Sequence, residues 1–112
     1  MCIEVHQENH FTIATITKGR LDAALAPQLK QQMAQLINAG NRYIILDLSQ
    51  VNFMDSSGLG IIVAILKLLH GEGDLSLCGA KGAVSQLFRL THMDMVFTIY
   101  ADVKQATTPV RF

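Results

Sequence analysis

The sequence predicts an α/β fold with a mixed, mostly parallel sheet of four to five strands packed against about four helices. Apolar runs rich in β-branched residues alternate with segments of helical apolar spacing, in the order β-β-α-β-α-β-α-β-α. Strands that alternate with helices form mostly parallel sheets with crossover helices. A chain of 112 residues, 50% of them hydrophobic, can bury one core, so we expect a single domain over residues 1–112.

The first half of the chain is predicted to form a hairpin, a helix and a buried strand. Residues 3–10 and 11–17 are the hairpin strands, with a turn near Glu8 and Asn9. Residues 25–38 carry apolar side chains at helical spacing and have a proline in the first turn, where its missing N–H is harmless. The run YIILDLS, residues 43–49, is largely apolar, as expected of a strand covered on both faces.

The second half repeats the alternation of helix and strand. The predicted elements are a helix over 55–70, a strand over 75–80, a helix over 83–91, a strand over 96–101 and a last helical turn over 102–106. Gly71 and Gly73 end the first of these helices. This pattern leaves no linker and no internal repeat.

Composition and charge exclude several classes of protein. Nine basic and nine acidic residues give a formal net charge of zero, so we expect no nucleic-acid partner and no anionic membrane partner. The start of the chain lacks a signal-peptide pattern, and no apolar run approaches the ~20 residues of a spanning helix. We therefore expect a cytoplasmic protein and, in solution, a monomer. Two cysteines do not form a disulfide framework, and Cys78 is interpreted as a small core residue.

The stretch FMDSSGLG, residues 53–60, concentrates the chemistry of the sequence at the start of the second predicted helix. Aspartate and serine are preferred N-cap residues, and Ser57 is the predicted capping group. On a helical wheel drawn at about 100° per residue, Ser56, Gly60 and Val63 lie on the outward face, which has Lys67 at its centre. Gly58 lies on the opposite side and faces the core. A helix-interior glycine costs about 1 kcal/mol relative to alanine. Gly58 therefore indicates close packing, and Gly60 indicates either access for another protein or mobility of the first turn.

FMDSSGLG after an apolar strand closely resembles the signature of STAS domains, which include the anti-sigma factor antagonists of bacteria and cytoplasmic domains of sulphate transporters. The looser resemblance extends over the chain to the KGRLD turn, where Gly19, Leu21 and Asp22 match a Gly-x-Leu/Ile-Asp pattern, and to the LCGA…VSQLFRLTHMDMVFTIY ending. The resemblance implies one STAS domain over residues 1–112, a sheet packed on helices, and no catalysis. The transporter branch does not fit a chain without a transmembrane segment.

In the antagonist branch, the resemblance implies a switch controlled by phosphorylation. The unphosphorylated domain binds and sequesters an anti-sigma factor that is also a serine/threonine kinase, phosphorylation of the first serine of the motif releases it, and a metal-dependent serine phosphatase reverses the modification. Residue by residue, that serine is Ser56 and the acid before it is Asp55. The residues predicted to contact the partner are Asp55, Ser56, Ser57, Gly60, Val63, Lys67 and Asp22. No cofactor, metal site or catalytic residue is expected.

Three alternatives stay open at this point. A hydrolase would need a base tied to Ser56, but no motif connects it to a histidine, and SSGLG is not the Gly-x-Ser-x-Gly elbow. A dinucleotide site would need a third glycine where Val63 stands, so only weak nucleotide binding is considered. The same phosphoswitch would also suit an output other than a sigma factor, such as biofilm, motility or cyclic-di-GMP signalling, or a stress-complex scaffold.

Overall fold

The computed structural model describes residues 2–108 and places five strands in one mixed sheet. The elements are β1 (Ile3–Glu8), β2 (Phe11–Ile16), β3 (Arg20–Leu21), α1 (Ala26–Asn38), β4 (Tyr43–Asp47), β5 (Phe53–Met54), α2 (Ser56–Leu68), β6 (Asp74–Cys78), α3 (Gly82–Leu90), a 3₁₀ turn (Met93–Met95), β7 (Ile99–Tyr100) and α4 (Val103–Thr107). The strand order is β1-β2-β4-β6-β7. Because β1 and β2 are antiparallel and the other pairs are parallel, the predicted mixed, mostly parallel sheet is confirmed.

The β1–β2 hairpin turns through two residues with positive φ. Asn9 has φ 49° and His10 has φ 72°, between strands in which Glu8 faces Phe11. Positive φ at both central residues is typical of the type I′ turn, whose twist matches that of the flanking strands. The predicted turn is therefore confirmed one residue further along than the sequence placed it.

Strand β4 lies at the centre of the sheet, as its apolar run predicts. It pairs with β2 on one side and β6 on the other, and Ile44, Ile45 and Leu46 are all buried. Consecutive residues of a strand point to opposite faces, so burial of all three requires a layer on each side.

Helices α1, α2 and α3 cover one face of the sheet and share the main core with it. The short α4 covers the other face, where Ala106 packs with Ile13, Ile45 and Cys78. Burial raises the pKa of Cys78 from its ordinary value near 9 to about 12, and nearby Asp47 adds to the shift. The prediction that Cys78 is a core residue is confirmed, since it is fully buried.

Two stretches of the chain differ from the sequence prediction. The strand predicted over 96–101 contains only Ile99 and Tyr100, because the 3₁₀ turn continues into Val96 and Phe97, whose N–H groups both donate to the Met93 carbonyl. The sequence also gave no sign of the two-stranded parallel sheet that β3 forms with β5. Within residues 2–108, no helix combines the length and apolar character needed to cross a bilayer.

Candidate functional site

The start of α2 is capped by Asp55. Its backbone is extended, with φ −109° and ψ −172°, and its carboxylate Oδ1 accepts the N–H of Gly58 at 3.0 Å. The prediction that Ser57 provides the cap is wrong. The residue just before the first helical residue is the one whose side chain reaches the free N–H groups of the first turn, whereas Ser57 is already inside the helix and exposed.

Ser56 is the first residue of α2 and its side chain is exposed. Among residues 2–108, the Ser56 hydroxyl takes part in no hydrogen bond that would hold it against the protein. It stands beside the N–H groups at the start of a 13-residue helix, where the helix dipole carries partial positive charge. The geometry therefore presents this hydroxyl to other molecules, at a point where added negative charge is tolerated.

Gly60 faces solvent one turn further along the same helix. A Cβ built on it would have no atom within 4 Å, and Lys67 on this face is also exposed. The wheel prediction is confirmed for both residues. It is wrong for Val63, which is half-buried and packs against the main core. The expected partner contact of Val63 stays a prediction.

Gly58 faces the core, as predicted. A Cβ on this residue would collide with the carbonyl oxygen of Leu21 and lie 2.9 Å from the Cγ atoms of both Leu21 and Met54. The Leu21 carbonyl also accepts the N–H of Asp55 at 3.4 Å. The missing side chain of Gly58 therefore lets the first turn of α2 lie directly against β3.

Asp22 lies beside this site, but its carboxylate already serves the fold. Oδ1 accepts the N–H groups of Ala24 at 3.1 Å and Leu25 at 3.2 Å, which fixes the turn before α1. Oδ2 lies 3.6 Å from Nε of Arg20. The structure thus gives Asp22 a local role, and the expected partner contact of Asp22 stays a prediction.

Sequence reasoning missed two residues at the edge of the site, Arg20 and Phe53. They face each other in the β3–β5 pair, and the Arg20 guanidinium carbon lies 4.2 Å from the centre of the Phe53 ring, in cation–π geometry. Phe53 keeps 37% of its surface exposed. Strands of two residues leave no periodic pattern, so nothing in the sequence signalled this pair.

Comparison with known proteins matches nearly all of the described residues to one family. A family model described as STAS domain matches residues 3–106. The chain is 28% identical over 111 residues to an anti-sigma F factor antagonist of Paenibacillus polymyxa, covering 96% of this chain and 95% of that one. It is 34% identical over 74 residues to an anti-sigma-B factor antagonist of Staphylococcus aureus, covering 65% of this chain and 68% of that one.

A solved structure agrees with these sequence matches. The crystal structure of an anti-sigma factor antagonist from Mycobacterium paratuberculosis superposes with a TM-score of 0.84 at 25% identity. The superposition covers 93% of this chain and 88% of that chain. The likeness therefore extends over most of both chains.

Proposed function

The chain belongs to the STAS domain family, and we propose that it acts, as a single domain, as an anti-sigma factor antagonist controlled by phosphorylation of Ser56. The unphosphorylated protein binds and sequesters an anti-sigma factor that is also a serine/threonine kinase. The kinase transfers the γ-phosphoryl group of ATP to the Ser56 hydroxyl, which gives up its proton, and ADP leaves. A metal-dependent serine phosphatase hydrolyses the phosphoserine and restores the binding form. Because the cycle uses ATP and acts on transcription, we propose a cytoplasmic location.

The observation that carries this proposal is the outward face formed by Ser56 and Gly60. Ser56 is exposed at the first position of α2, and the space beside Gly60 is open. A kinase needs an accessible hydroxyl, and a partner surface needs room to approach it. The names of the relatives in Paenibacillus and Staphylococcus support the same class of function.

Because Ser56 lies at the start of α2, we expect a phosphate on it to weaken partner binding without disrupting the fold. A phosphate adds about −1.5 to −2 charges and three acceptor oxygens. At the start of α2 these oxygens meet N–H groups and the positive end of the helix dipole, so the domain keeps its fold. A partner packed over the same face would have to accommodate the added volume and charge, so it dissociates.

Affinity capture with Ser56→Ala and Ser56→Asp baits tests the proposal. We expect Ser56→Ala to retain a kinase of the anti-sigma type and Ser56→Asp to lose it, with the melting temperatures of the two variants within about 2 °C of each other. The captured kinase, purified and supplied with ATP, should phosphorylate the wild type and not Ser56→Ala. Gly60→Arg should abolish capture while the domain stays folded.

Ser57→Ala is the matched control, since Ser57 is the adjacent exposed serine of the same turn. It should be phosphorylated like the wild type; because Ser57 is itself a predicted partner contact, the control compares phosphate incorporation and not capture. The proposal fails if Ser56→Asp binds the kinase as tightly as Ser56→Ala does, or if phosphate is incorporated at Ser57 in the Ser56→Ala protein.

A further inference from the structure

We propose that a groove beside the site docks an acidic segment of the partner protein, with Lys18 and Arg20 binding its carboxylates. This groove, called the Lys18 groove, is open, has a volume of about 370 Å³, and is lined by Lys18, Gly19, Arg20, Asp22, Ala24 and Leu25. The inference rests on the proposed function for the identity of the partner. It adds a second contact region to the face at Ser56 and Gly60.

The Lys18 groove is fixed to the segment that leads into Ser56. The carbonyl oxygen of Gly19 accepts the N–H of Asn52 at 2.8 Å and that of Phe53 at 3.1 Å. The next strand, β3, then lies against the first turn of α2 through the Leu21 carbonyl. Backbone contacts therefore hold the Lys18 groove next to the segment that carries Ser56.

The charges of the groove are unbalanced in favour of cations. Asp22 is the one acidic residue of its lining, and the Asp22 carboxylate is already engaged with two backbone N–H groups and Arg20. Lys18 is exposed and forms no ion pair with any part of the chain between residues 2 and 108. A carboxylate entering the groove would therefore meet an ammonium group that has no competing partner.

Arg20 is held in position but keeps most of its hydrogen-bonding capacity. Its side chain lies over the Phe53 ring and is 66% exposed, and its Nε lies 3.6 Å from the Asp22 carboxylate. A guanidinium has five N–H donors in a fixed plane, which suits a second carboxylate in bidentate geometry. Stacking on Phe53 limits the loss of side-chain freedom on binding, because the plane is already oriented.

The rest of the lining is apolar and makes a peptide segment the best match. Ala24 is exposed and Leu25 is half-buried, and both line the groove together with the two cations. An acidic side chain next to an aliphatic one would satisfy both sides at once. The formal charge of the whole chain is zero, so the positive charge of the groove is local. It orients a bound partner and does not attract anionic surfaces in general.

Binding of the purified kinase to charge-reversal variants tests the inference. We expect Lys18→Glu and Arg20→Glu each to weaken binding at least tenfold, and Lys104→Glu, on α4 at the opposite face of the sheet, to leave it unchanged. Raising the salt concentration should weaken wild-type binding more than Lys18→Glu binding. Arg20→Glu loses the ion pair with Asp22 and is therefore expected to be less stable. Lys18→Glu removes no ion pair from the described structure, so its binding result tests the groove independently of stability.

A titration that needs no kinase supplies a second measurement. We would add a blocked hexapeptide of alternating aspartate and leucine to the ¹⁵N-labelled protein and follow the amide signals of residues 18–25. These signals should shift with the acidic peptide and not with its lysine–leucine counterpart, and Lys18→Glu should abolish the shift. Inorganic phosphate is the control for a site that takes small anions only.

The outcomes separate this inference from the proposed function. If Lys18→Glu and Arg20→Glu bind the kinase like the wild type while Ser56→Asp does not, the docking groove is wrong and the phosphoswitch stands. If Ser56→Asp binds like the wild type but the charge reversals do not, the groove stands and the switch is wrong. Phosphate shifting residues 18–25 while the acidic peptide leaves them unmoved would also overturn the inference.

Discussion

Two glycines of α2 lie two residues apart and face opposite environments. Gly58 is buried, and a Cβ there would collide with the Leu21 carbonyl, whereas a Cβ on Gly60 would meet no atom within 4 Å. Both lack a side chain in a helix, where glycine costs about 1 kcal/mol relative to alanine. Gly58 compensates for that cost by letting the helix lie against β3, but Gly60 gains nothing within the domain.

The face of the helix on which a glycine lies, rather than the residue type, therefore determines its role. The inner glycine is needed by the fold, and the outer one has no packing role in the described structure. Substitutions at the two positions should therefore have opposite effects on stability and on binding. Four changes in the first turns of α2 test this contrast.

Gly58→Ala should have the largest effect, lowering the free energy of unfolding by about 3 kcal/mol. The new Cβ forces the first turn of α2 away from the Leu21 carbonyl, and overpacking of this kind typically costs 1 to 3 kcal/mol or more. The gain in helix propensity offsets only a part of it. Urea unfolding followed by circular dichroism measures the change, and a stability equal to wild type would show that Gly58 is not a packing residue.

Asp55→Ala should lower the free energy of unfolding by about 1 kcal/mol. The change removes the acceptor of the Gly58 N–H, and loss of an N-cap side chain costs roughly 0.5 to 2 kcal/mol. Asp55→Asn is the control, because its amide oxygen accepts the same hydrogen bond and should recover most of the loss. An unchanged midpoint for Asp55→Ala in urea would mean that another group caps the helix.

Gly60→Ala should raise the free energy of unfolding by up to about 1 kcal/mol. The alanine improves helix propensity and its Cβ enters open space. It is the matched partner of Gly58→Ala, since the chemical change is the same and only the face differs. Thermal unfolding of the two variants side by side gives the sign of each effect, and a loss of stability at Gly60 would remove the contrast between the two faces.

Ser57→Ala should have the smallest effect, within about 0.5 kcal/mol of wild type. Its hydroxyl is exposed, and Asp55 supplies the cap that the sequence assigned to Ser57. Measured in the same urea series as Asp55→Ala, it shows which of the two residues holds the helix start. A loss near 1 kcal/mol for Ser57→Ala would reverse the assignment.

The parts of the fold that were predicted correctly are those with a long periodic signal. The order of strands and helices, the burial of both faces of β4, and the opposite orientations of Gly58 and Gly60 all follow from repeats of two or 3.6 residues. The resemblance of FMDSSGLG to STAS domains added the prediction that Ser56 is phosphorylated, which periodicity alone does not provide and which the experiments above test.

The parts that were missed depend on contacts between distant segments. Val63 shares the angular position of Ser56 and Gly60, but packing of neighbouring elements covers it, and a wheel drawn for one helix contains no neighbours. Arg20 and Phe53 meet only because two-residue strands pair across more than thirty positions of sequence. The Lys18 groove depends on that pairing, so no pattern in the sequence predicted it.

Both thiols of the chain lie in its interior, which makes the exposed surface suitable for site-specific labelling. Cys2 and Cys78 are fully buried, and burial raises the pKa of each above the ordinary value. Because thiol reagents attack the thiolate, neither residue should react with a maleimide at neutral pH while the protein is folded. A cysteine introduced at Lys104, on α4 at the opposite face of the sheet, would then be the single reactive thiol of the described residues, and a fluorophore there would label the protein without covering the start of α2.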